Sequence, residues 1–227
     1  MKSAIQHADS LIVLTESARS MFDGLVDPDR VTVIGNCIEP WLEERACSHS
    51  PVLGSPPKIL YLGNLITGKG VETLGAAARL SYAAGNDSQF LVAGLGDESL
   101  LGSPTPPNMK LLGQVLGDRK VQALASADVL VLPSELNEGE PISVLEAFHF
   151  GIPVVATGNG GLRDLVQPEA GRVFEAGDAD ALLRAVAEVL EPEAWLRMSN
   201  RNQKVARADH SSAAHEISML QALGVNR

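Results

Sequence analysis

Residues 129–161 read VLVLPSELNEGEPISVLEAFHFGIPVVATGNGG. Two short aliphatic runs, 129–132 and 154–156, flank a segment, 142–150, in which apolar residues recur at helical spacing. Short aliphatic strands separated by a helix form a βαβ unit, whose two strands lie parallel in one sheet. This part of the chain therefore predicts an α/β protein with a buried parallel sheet.

The same alternation of short aliphatic runs and helical segments extends along most of the chain. We predict strands over residues 11–14, 31–34, 58–62, 90–93, 109–112, 129–132, 154–156 and 172–174. We predict helices over residues 17–22, 71–83, 118–125, 142–150 and 180–190. Strands that alternate with helices in this way form a doubly wound parallel sheet covered on both faces. After residue 190 the pattern becomes purely helical, with apolar residues at helical spacings at Trp195, Met198, Ile217 and Leu220.

Composition argues against two classes of protein. The 227 residues include 18 Lys and Arg against 28 Asp and Glu, so the formal net charge is −10. A nucleic-acid-binding protein needs a basic surface, which this balance does not favour. Uninterrupted apolar runs stop at about four residues, whereas a membrane-spanning helix needs about 18.

Cys37 and Cys47 have neither metal-binding nor redox spacing, so we expect reduced thiols in a cytosolic protein.

Residues 37–57 differ from the rest because proline and glycine interrupt them and no periodicity is sustained. We therefore predict a linker over this range. The predicted units are residues 1–36, the linker 37–57, an α/β domain over 58–190 and C-terminal helices over 191–227. We expect those helices to pack against the sheet or against a neighbouring domain.

In open parallel sheets, ligands bind beyond the carboxyl ends of the strands, so the loops that follow the strands are the candidate sites. After the predicted strand 58–62, residues 63–70 read GNLITGKG and lead into a helix. Lys69 beside the free amides of a helix N-terminus would bind phosphate, because the ammonium and the helix dipole attract the same anion. The alternative is a solvated lysine at the start of a helix.

The loop after strand 129–132 offers a second candidate site. Pro141 suits the first helical position, which leaves Glu140 and the amides that follow at an open helix N-terminus. Glu146 stands about 7 Å further along the helix axis. With a diphosphate on the amides, Glu146 can accept hydrogen bonds from ribose hydroxyls, and Glu138 faces the group that the diphosphate carries. For Glu140 itself, the preferred interpretation is an ordinary helix cap.

Two other functional motifs are incomplete or absent. Residues 94–99, GLGDES, have two of the three glycines of a dinucleotide-binding loop and lack the last. The Gly-x-Ser-x-Gly motif of serine hydrolases does not occur. NAD-dependent hydride transfer and hydrolysis by a serine nucleophile are therefore not favoured.

One sequence pattern resembles that of a known family. It consists of Glu138 and Glu146 at their spacing, followed by Gly151, Pro153 and the two glycines at residues 160–161. It is similar to the C-terminal half of GT-B glycosyltransferases of family 4, the glycosyl transferases group 1. Members of this family retain the anomeric configuration of a nucleotide-sugar donor. The resemblance covers roughly residues 8–190, and further segments follow the order and spacing of the family at residues 59–70, 90–96, 108–113, 127–134 and 171–182.

The resemblance implies a Rossmann-like domain, one half of a GT-B fold, that binds a nucleotide diphosphosugar such as a UDP-sugar. It implies that Lys69 neutralises the diphosphate, Glu146 holds the ribose and Glu138 orients the donor sugar, so Lys69 and Glu138 are the catalytic candidates. Backbone groups at Gln114 and Val115 would contact the nucleobase. No metal or other cofactor is implied. The candidate substrate-binding residues are Gly63, Asn64, Lys69, Gln114, Val115, Glu138, Gly139, Glu140, Pro141, Ile142 and Glu146.

One position departs from the family pattern. Many members have an arginine directly after the glycine of the first loop, where this chain has Asn64. Lys69 is then left as the cation that neutralises the diphosphate, with help only from backbone amides. We therefore expect a lower donor affinity or turnover than the family pattern provides.

By the same resemblance, the chain contains part of a two-domain enzyme. Residues 1–36 resemble the end of an N-terminal acceptor-binding domain, and residues 191–227 resemble the helices that brace it. The strands 11–14 and 31–34 then lack the rest of their sheet, so we expect this segment to be poorly ordered, displaced or paired with a second copy. The implied location is the cytoplasm, including the periphery of the inner membrane face through the missing domain.

These inferences predict the donor-binding half of a retaining glycosyltransferase of carbohydrate biosynthesis, inactive in transfer without its N-terminal domain. The acceptor would be a glycan, a lipid or a small molecule. The alternative is a non-catalytic nucleotide-sugar-binding or assembly module that pairs with a separate acceptor-binding chain. A doubly wound domain whose function has decayed also stays open, whereas the patterns of a GT-B epimerase or phosphorylase are not evident.

Overall fold

The computed structural model describes residue 5 and residues 7–225. Residues 1–4, 6, 226 and 227, which belong to the predicted units 1–36 and 191–227, lie outside the described residues. The strands are β1 Leu11–Val13, β2 Val31–Val33, β3 Lys58–Leu62, β4 Gln89–Ala93, β5 Met109–Gly113, β6 Val129–Leu132, β7 Val154–Thr157 and β8 Gly171–Phe174. Six of them form one sheet in the order β5-β4-β3-β6-β7-β8, with every neighbouring pair parallel. The predicted α/β class with a parallel sheet is confirmed.

Helices cover both faces of this sheet. They are α1 Glu16–Arg19, α2 Pro40–Cys47, α3 Val71–Ala83, α4 Asp118–Ala125, α5 Ile142–His149, α6 Leu162–Leu165, α7 Ala179–Leu190, α8 Pro192–Asp209 and α9 Ser212–Ala222. On one face Leu124 of α4 and Phe148 of α5 are buried in the core, together with residues of α2. On the other face Leu74 of α3 and Val186 of α7 are buried. The sheet is doubly wound, as the alternation of strands and helices predicts.

The order of the strands reverses between β3 and β6. The chain first adds β4 and β5 on one side of β3, and then adds β6, β7 and β8 on the other side. Strands β6 and β7 are buried along their whole length, which accounts for their aliphatic runs without polar alternation. At such a switch point the loops from adjacent strands leave a crevice at the carboxyl ends. Residues 63–70 and 133–141 follow the two strands concerned.

The predicted linker 37–57 contains a helix that the sequence analysis did not predict. Helix α2 has Pro40 in its first turn, where proline is favoured, and Leu42 and Ala46 of this helix are fully buried one turn apart. Beyond the helix, the Asp128 carboxylate accepts hydrogen bonds from the backbone N–H groups of Gly54 and Lys58. The prolines and the glycine of this segment interrupt its periodicity, so its one short helix is not evident from the sequence. This part of the chain is folded onto the domain.

Strands β1 and β2 pair with each other and stand apart from the six-stranded sheet. They form a parallel two-stranded sheet in which Leu11 lies opposite Val31. The predicted helix 17–22 is split into α1 and a 3₁₀ turn at Ser20–Phe22. The backbone N–H of Ser17 in α1 donates to the Asp164 carboxylate at 3.1 Å, which links the helix between β1 and β2 to α6. Pairing with a second copy stays a prediction.

The C-terminal segment consists of α8 and α9, as the helical spacing predicts. Trp195 and Met198 are buried, and the indole N–H of Trp195 donates to the carbonyl oxygen of Asp128 at 2.8 Å. Ile217 on α9 is 57% exposed, so the apolar spacing of this helix does not correspond to a buried face. Helix α8 therefore closes the core beside β6, whereas α9 lies at its edge.

Two further features relate to the composition. Cys37 and Cys47 both carry free thiols, which agrees with the expectation of reduced cysteines. Within the part of the chain that the structure describes, none of the helices combines the length and the apolar character that crossing a bilayer requires.

Candidate functional site

The loop after β3 is in direct contact with the loop after β6. Gly70, which precedes α3, has a left-handed backbone with φ of +69°, and a Cβ atom there would collide with the carbonyl oxygen of Pro133. The backbone N–H of Glu135 also donates to the carbonyl oxygen of Gly68 at 2.8 Å. Only glycine combines this conformation with so close an approach of another backbone. The two loops are therefore fixed relative to each other.

Lys69 and Glu138 form an ion pair across these loops. The Nζ atom of Lys69 lies 2.7 Å from Oε1 of Glu138, and the two side chains are 24% and 13% exposed. The hydroxyl of Ser134 donates to the same carboxylate oxygen. In turn, the carbonyl oxygen of Ser134 accepts hydrogen bonds from Thr157 and from the side-chain amide of Asn159. Glu138 is thus held in place by residues that follow two strands of the sheet.

Helix α5 begins close to this pair. The sequence places Pro141 at the first helical position, but Pro141 is the N-cap residue and the helix begins at Ile142. No side chain caps the helix. The N–H groups of a first helical turn have no partner within the helix. In α5 the N–H of Val144 donates to the carbonyl oxygen of Pro141 at 3.0 Å, which leaves the N–H groups of Ile142 and Ser143 available to an anion.

Glu146 pairs with a lysine that the sequence analysis did not single out. The Nζ atom of Lys120 lies 2.7 Å from Oε1 of Glu146, whose side chain is only 6% exposed. Burial raises the pKa of Glu146, and the Lys120 ammonium offsets part of this rise. Lys120 lies in the first turn of α4, directly after the loop that the sequence analysis did assign to the site. Its place after a strand at the carboxyl edge was the signal that could have identified it.

A cleft of about 190 Å³ at the carboxyl ends of β3, β4 and β5 brings several predicted residues together. It is lined by Leu62, Gly63, Asn64, Ala93, Gly94, Leu95, Gln114, Val115, Leu116 and Lys120. Four of these belong to the predicted site: Gly63, Asn64, Gln114 and Val115. Lys120 links the cleft to Glu146, whereas Lys69 and Glu138 form their pair outside its lining.

Tyr61 supports the loop after β3 through a hydrogen bond. This residue is fully buried, and its hydroxyl donates to the carbonyl oxygen of Asn64 at 2.7 Å. Burial and the nearby charges of Glu138 and Glu72 raise the pKa of Tyr61. Its hydroxyl consequently stays protonated and continues to donate to the loop.

Glu140 does not cap α5, so the capping role that the sequence favours is wrong. The Glu140 carboxylate accepts a hydrogen bond from the backbone N–H of Asn36, and the Asn36 side-chain amide donates to the carbonyl oxygen of Glu140 at 3.0 Å. His210 on the other side lies 3.7 Å from Oε1 of Glu140. Burial raises the pKa of Glu140, against the opposing effects of Asn36, His210 and His215. The physical reason for the difference is that a partner distant in sequence outcompetes the helix amides.

The family model described as glycosyl transferases group 1 matches residues 56–192, which is more than half of the chain. The chain belongs to this family. The matched residues include both loops and both ion pairs. The resemblance to GT-B glycosyltransferases of group 1 is thereby confirmed.

Two curated relatives have similar sequence identities to this group 1 chain, 32% and 31%. A GDP-mannose-dependent monoacylated alpha-(1-6)-phosphatidylinositol monomannoside mannosyltransferase from Corynebacterium glutamicum is 32% identical over 145 residues, covering 60% of this chain and 38% of that protein. A phosphatidyl-myo-inositol mannosyltransferase from Mycolicibacterium smegmatis is 31% identical over 180 residues, covering 74% and 46%. The chain thus spans less than half the length of these relatives.

Solved structures show the same fold. Sucrose-phosphate synthase from Thermosynechococcus elongatus superposes with a TM-score of 0.78 at 25% identity, covering 98% of this chain and 59% of that one. HepE from Anabaena, solved in complex with UDP and glucose, gives a TM-score of 0.74 at 16% identity, covering 96% and 64%. The group 1 chain therefore has a GT-B glycosyltransferase architecture over nearly all of its length.

Proposed function

We propose that this chain is the donor-binding half of a retaining glycosyltransferase that takes a sugar from a nucleotide diphosphosugar. The observation that carries the proposal is the pairing of Lys69 with Glu138 and of Lys120 with Glu146 at one edge of the sheet, each at 2.7 Å. Lys120 lines a cleft, and the uncapped N-terminus of α5 begins shortly after Glu138. A nucleotide diphosphosugar has a diphosphate between two sugars, the ribose and the donor sugar. The cations and N–H donors can bind the diphosphate, and the carboxylates can accept hydrogen bonds from the sugar hydroxyls.

The first pair serves the reacting end of the donor. Transfer breaks the bond between the anomeric carbon and a diphosphate oxygen, and negative charge develops on the departing diphosphate. Lys69 and the free N–H groups of α5 stabilise that charge, which lowers the barrier to bond cleavage. When Lys69 turns to the diphosphate, the Glu138 carboxylate keeps its hydrogen bond from Ser134 and becomes free to accept one from a hydroxyl of the donor sugar.

The second pair serves the nucleoside. Oε1 of Glu146 is paired with Lys120, and the other carboxylate oxygen has no hydrogen-bond partner among the described residues, so it is available to a ribose hydroxyl. Backbone groups of Gln114 and Val115 line the adjoining cleft and can bind a nucleobase there. Lys120 supplies a second cation close to Asn64, where the family pattern has an arginine. This reduces the loss of donor affinity that Asn64 alone predicts.

Calorimetric titration with UDP, GDP and ADP, and with the corresponding nucleotide sugars, tests this proposal. Both UDP and GDP are supported as candidates, because HepE was solved with UDP and the Corynebacterium relative is named as GDP-mannose-dependent. We expect Glu146→Gln to weaken nucleotides and nucleotide sugars alike, and Glu138→Ala to weaken only the nucleotide sugars. Failure of every nucleotide to bind would contradict the proposal.

A second candidate is a nucleotide-sugar-binding or assembly module that works with a separate acceptor-binding chain. It rests on the same two ion pairs and the same cleft as the first candidate. Both candidates bind the donor, so transfer assays decide between them. We expect the chain alone to be inactive in transfer and an acceptor-binding polypeptide to restore turnover in the enzyme case only. The acceptor class, the absence of a required metal and the cytoplasmic, membrane-peripheral location stay predictions.

A further inference from the structure

A second concave site lies on the face of the sheet that α4 covers. We call it the basic groove, and its volume is about 310 Å³. It is lined by Lys58, Gln89, Leu91, Lys110, Leu112, Val115, Arg119, Gln122, Ala123 and Ser126. The register places Lys58 beside Gln89 and Leu91 beside Lys110, so the wall runs across β3, β4 and β5. The groove shares only Val115 with the cleft at the carboxyl ends of these strands.

The charge of the basic groove is opposite to that of the chain. Lys58, Lys110 and Arg119 line it, and its wall contains no carboxylate, although the chain has a formal net charge of −10. Asp118 and Asp128, which are near wall residues in sequence, have other partners. Asp118 lies 2.7 Å from Arg45, and Asp128 accepts from the backbone N–H groups described above. The three cations are therefore not neutralised by the acids that adjoin them in sequence.

The cations differ in how they are held. Arg119 donates from one guanidinium nitrogen to the carbonyl oxygen of Leu112 at 2.7 Å, which orients the remaining N–H groups. The ammonium groups of Lys58 and Lys110 have no ion-pair or hydrogen-bond partner among the described residues. One fixed guanidinium and two unpaired ammonium groups around one cavity provide strong donors to an oxyanion.

Apolar side chains form part of the lining of the basic groove, and we call this part its floor. Leu91, Val115 and Ala123 are buried there, each 6% or 7% exposed, and Gln89, Gln122 and Ser126 add neutral hydrogen-bonding groups at the rim. A small inorganic anion would satisfy the cations but would leave this floor uncovered. A ligand that combines an anion with an apolar group would satisfy both, because apolar contact and charge-assisted hydrogen bonds act on different parts of it.

We propose that the basic groove is a binding site for a phosphate monoester that carries an apolar substituent. Lys58, Lys110 and Arg119 bind the phosphate, and the substituent covers Leu91 and Val115. Such a ligand could come from solution or from an anionic lipid in a bilayer, since both present the same phosphate and apolar chemistry. The site is separate from the ion pairs of the proposed donor site and does not depend on them.

Titration calorimetry of the 227-residue chain with hexyl phosphate tests this proposal. We expect hexyl phosphate to bind more tightly than inorganic phosphate and to bind less tightly as salt is raised. The double variant Lys58→Gln, Lys110→Gln should bind it at least about tenfold more weakly, since two charge-assisted contacts are lost. Lys204→Gln, which alters an exposed lysine on α8, is the matched control and should bind like the unaltered chain.

Three outcomes would overturn the proposal. They are equal affinities of the double variant and the unaltered chain, equal affinities for hexyl phosphate and inorganic phosphate, and a loss of binding in Lys69→Ala that the double variant does not share. The last would assign the binding to the proposed donor site. Equal thermal midpoints of the double variant and the unaltered chain establish that a loss of binding is not a loss of folding.

Vesicles of phosphatidylcholine with and without phosphatidic acid distinguish the two sources of ligand. Binding that requires phosphatidic acid and both lysines supports a lipid in the bilayer. Binding of hexyl phosphate without binding to vesicles supports a soluble ligand. If the chain binds both kinds of vesicle equally and the double variant does not change this binding, the groove has no role in membrane binding. The hexyl phosphate titration then decides whether the groove binds a soluble ligand.

Discussion

A Cβ atom on Gly70 would collide with the carbonyl oxygen of Pro133, so the loops that follow β3 and β6 touch through their backbones. Gly70 directly follows Lys69, and Pro133 lies five residues before Glu138. The contact therefore sets the spacing of the ion pair on which the proposed donor site is built.

Gly70→Ala is expected to destabilise the protein and to weaken nucleotide diphosphate binding. The substitution incurs the cost of a left-handed backbone, about 1 to 2 kcal/mol, and in addition displaces the loop from Pro133. Gly85→Ala is the control, because Gly85 has a φ of +76° with open space around it. Denaturant unfolding should show a larger loss for Gly70→Ala. Equal losses in the two variants would mean that the loops do not constrain each other.

Lys69→Ala is expected to weaken nucleotide diphosphate binding by about 1.5 to 3 kcal/mol, because one charge-assisted contact is lost. This corresponds to a loss of affinity of tenfold or more. Calorimetry measures the dissociation constant, and Lys204→Ala on the exposed side of α8 is the control. A dissociation constant that stays unchanged in Lys69→Ala would remove this residue from the site.

Stability should depend on pH through Glu146. Burial raises the pKa of this carboxyl above its ordinary 4.5, so between that pH and the raised pKa the folded protein keeps a proton that the unfolded chain has released. The free energy of unfolding therefore falls as pH rises through this interval. We expect Glu146→Gln to remove this fall and Lys120→Ala to enlarge it, because the ammonium no longer offsets the effect of burial.

Denaturant unfolding of these three proteins from about pH 4 to about pH 7 measures this dependence. Glu140, whose pKa is also raised, contributes equally to all three and cancels in the differences. Parallel pH dependences of the unaltered chain and Glu146→Gln would show that the buried carboxyl does not titrate in this range.

Leu42→Ala tests whether the predicted linker is part of the folded core. Leu42 on α2 is fully buried, so its truncation should lower the free energy of unfolding by about 2 to 5 kcal/mol. Leu196→Ala makes the same chemical change at a leucine that is 55% exposed, and it should cost about 0.5 kcal/mol. Similar values for both, measured by urea unfolding, would indicate that α2 is a flexible connection.

The sheet could be predicted from the sequence because its central strands are buried on both faces. Val129–Leu132 is an unbroken aliphatic run and Lys58–Leu62 has three buried apolar residues at its centre, and both strands have the predicted bounds. The helices Val71–Ala83 and Asp118–Ala125 also have their predicted bounds. The loops that follow these strands could then be assigned to one edge, which is a property of parallel topology.

Contacts between residues distant in sequence could not be predicted in this way. Glu140 is 104 residues from Asn36, and its position after a strand suggested a local cap that the folded chain does not form. Lys120 and Glu146 belong to different helices, and no periodicity signals that their side chains meet. Helix α2 was missed because one buried turn, Leu42 to Ala46, is too short to establish a period among prolines.

The hydrogen bonds between Glu140 and Asn36 have a thermodynamic consequence. Glu140 is the second residue after Glu138, and Asn36 immediately precedes the segment that leads to α2. A ligand that displaces residues 138–141 has to strain or break these bonds, so occupancy of the site and the position of Asn36 are coupled equilibria. Linkage makes this coupling reciprocal. If binding of the ligand changes the equilibrium between two positions of Asn36 by some factor, then moving Asn36 from one position to the other changes the affinity for the ligand by the same factor.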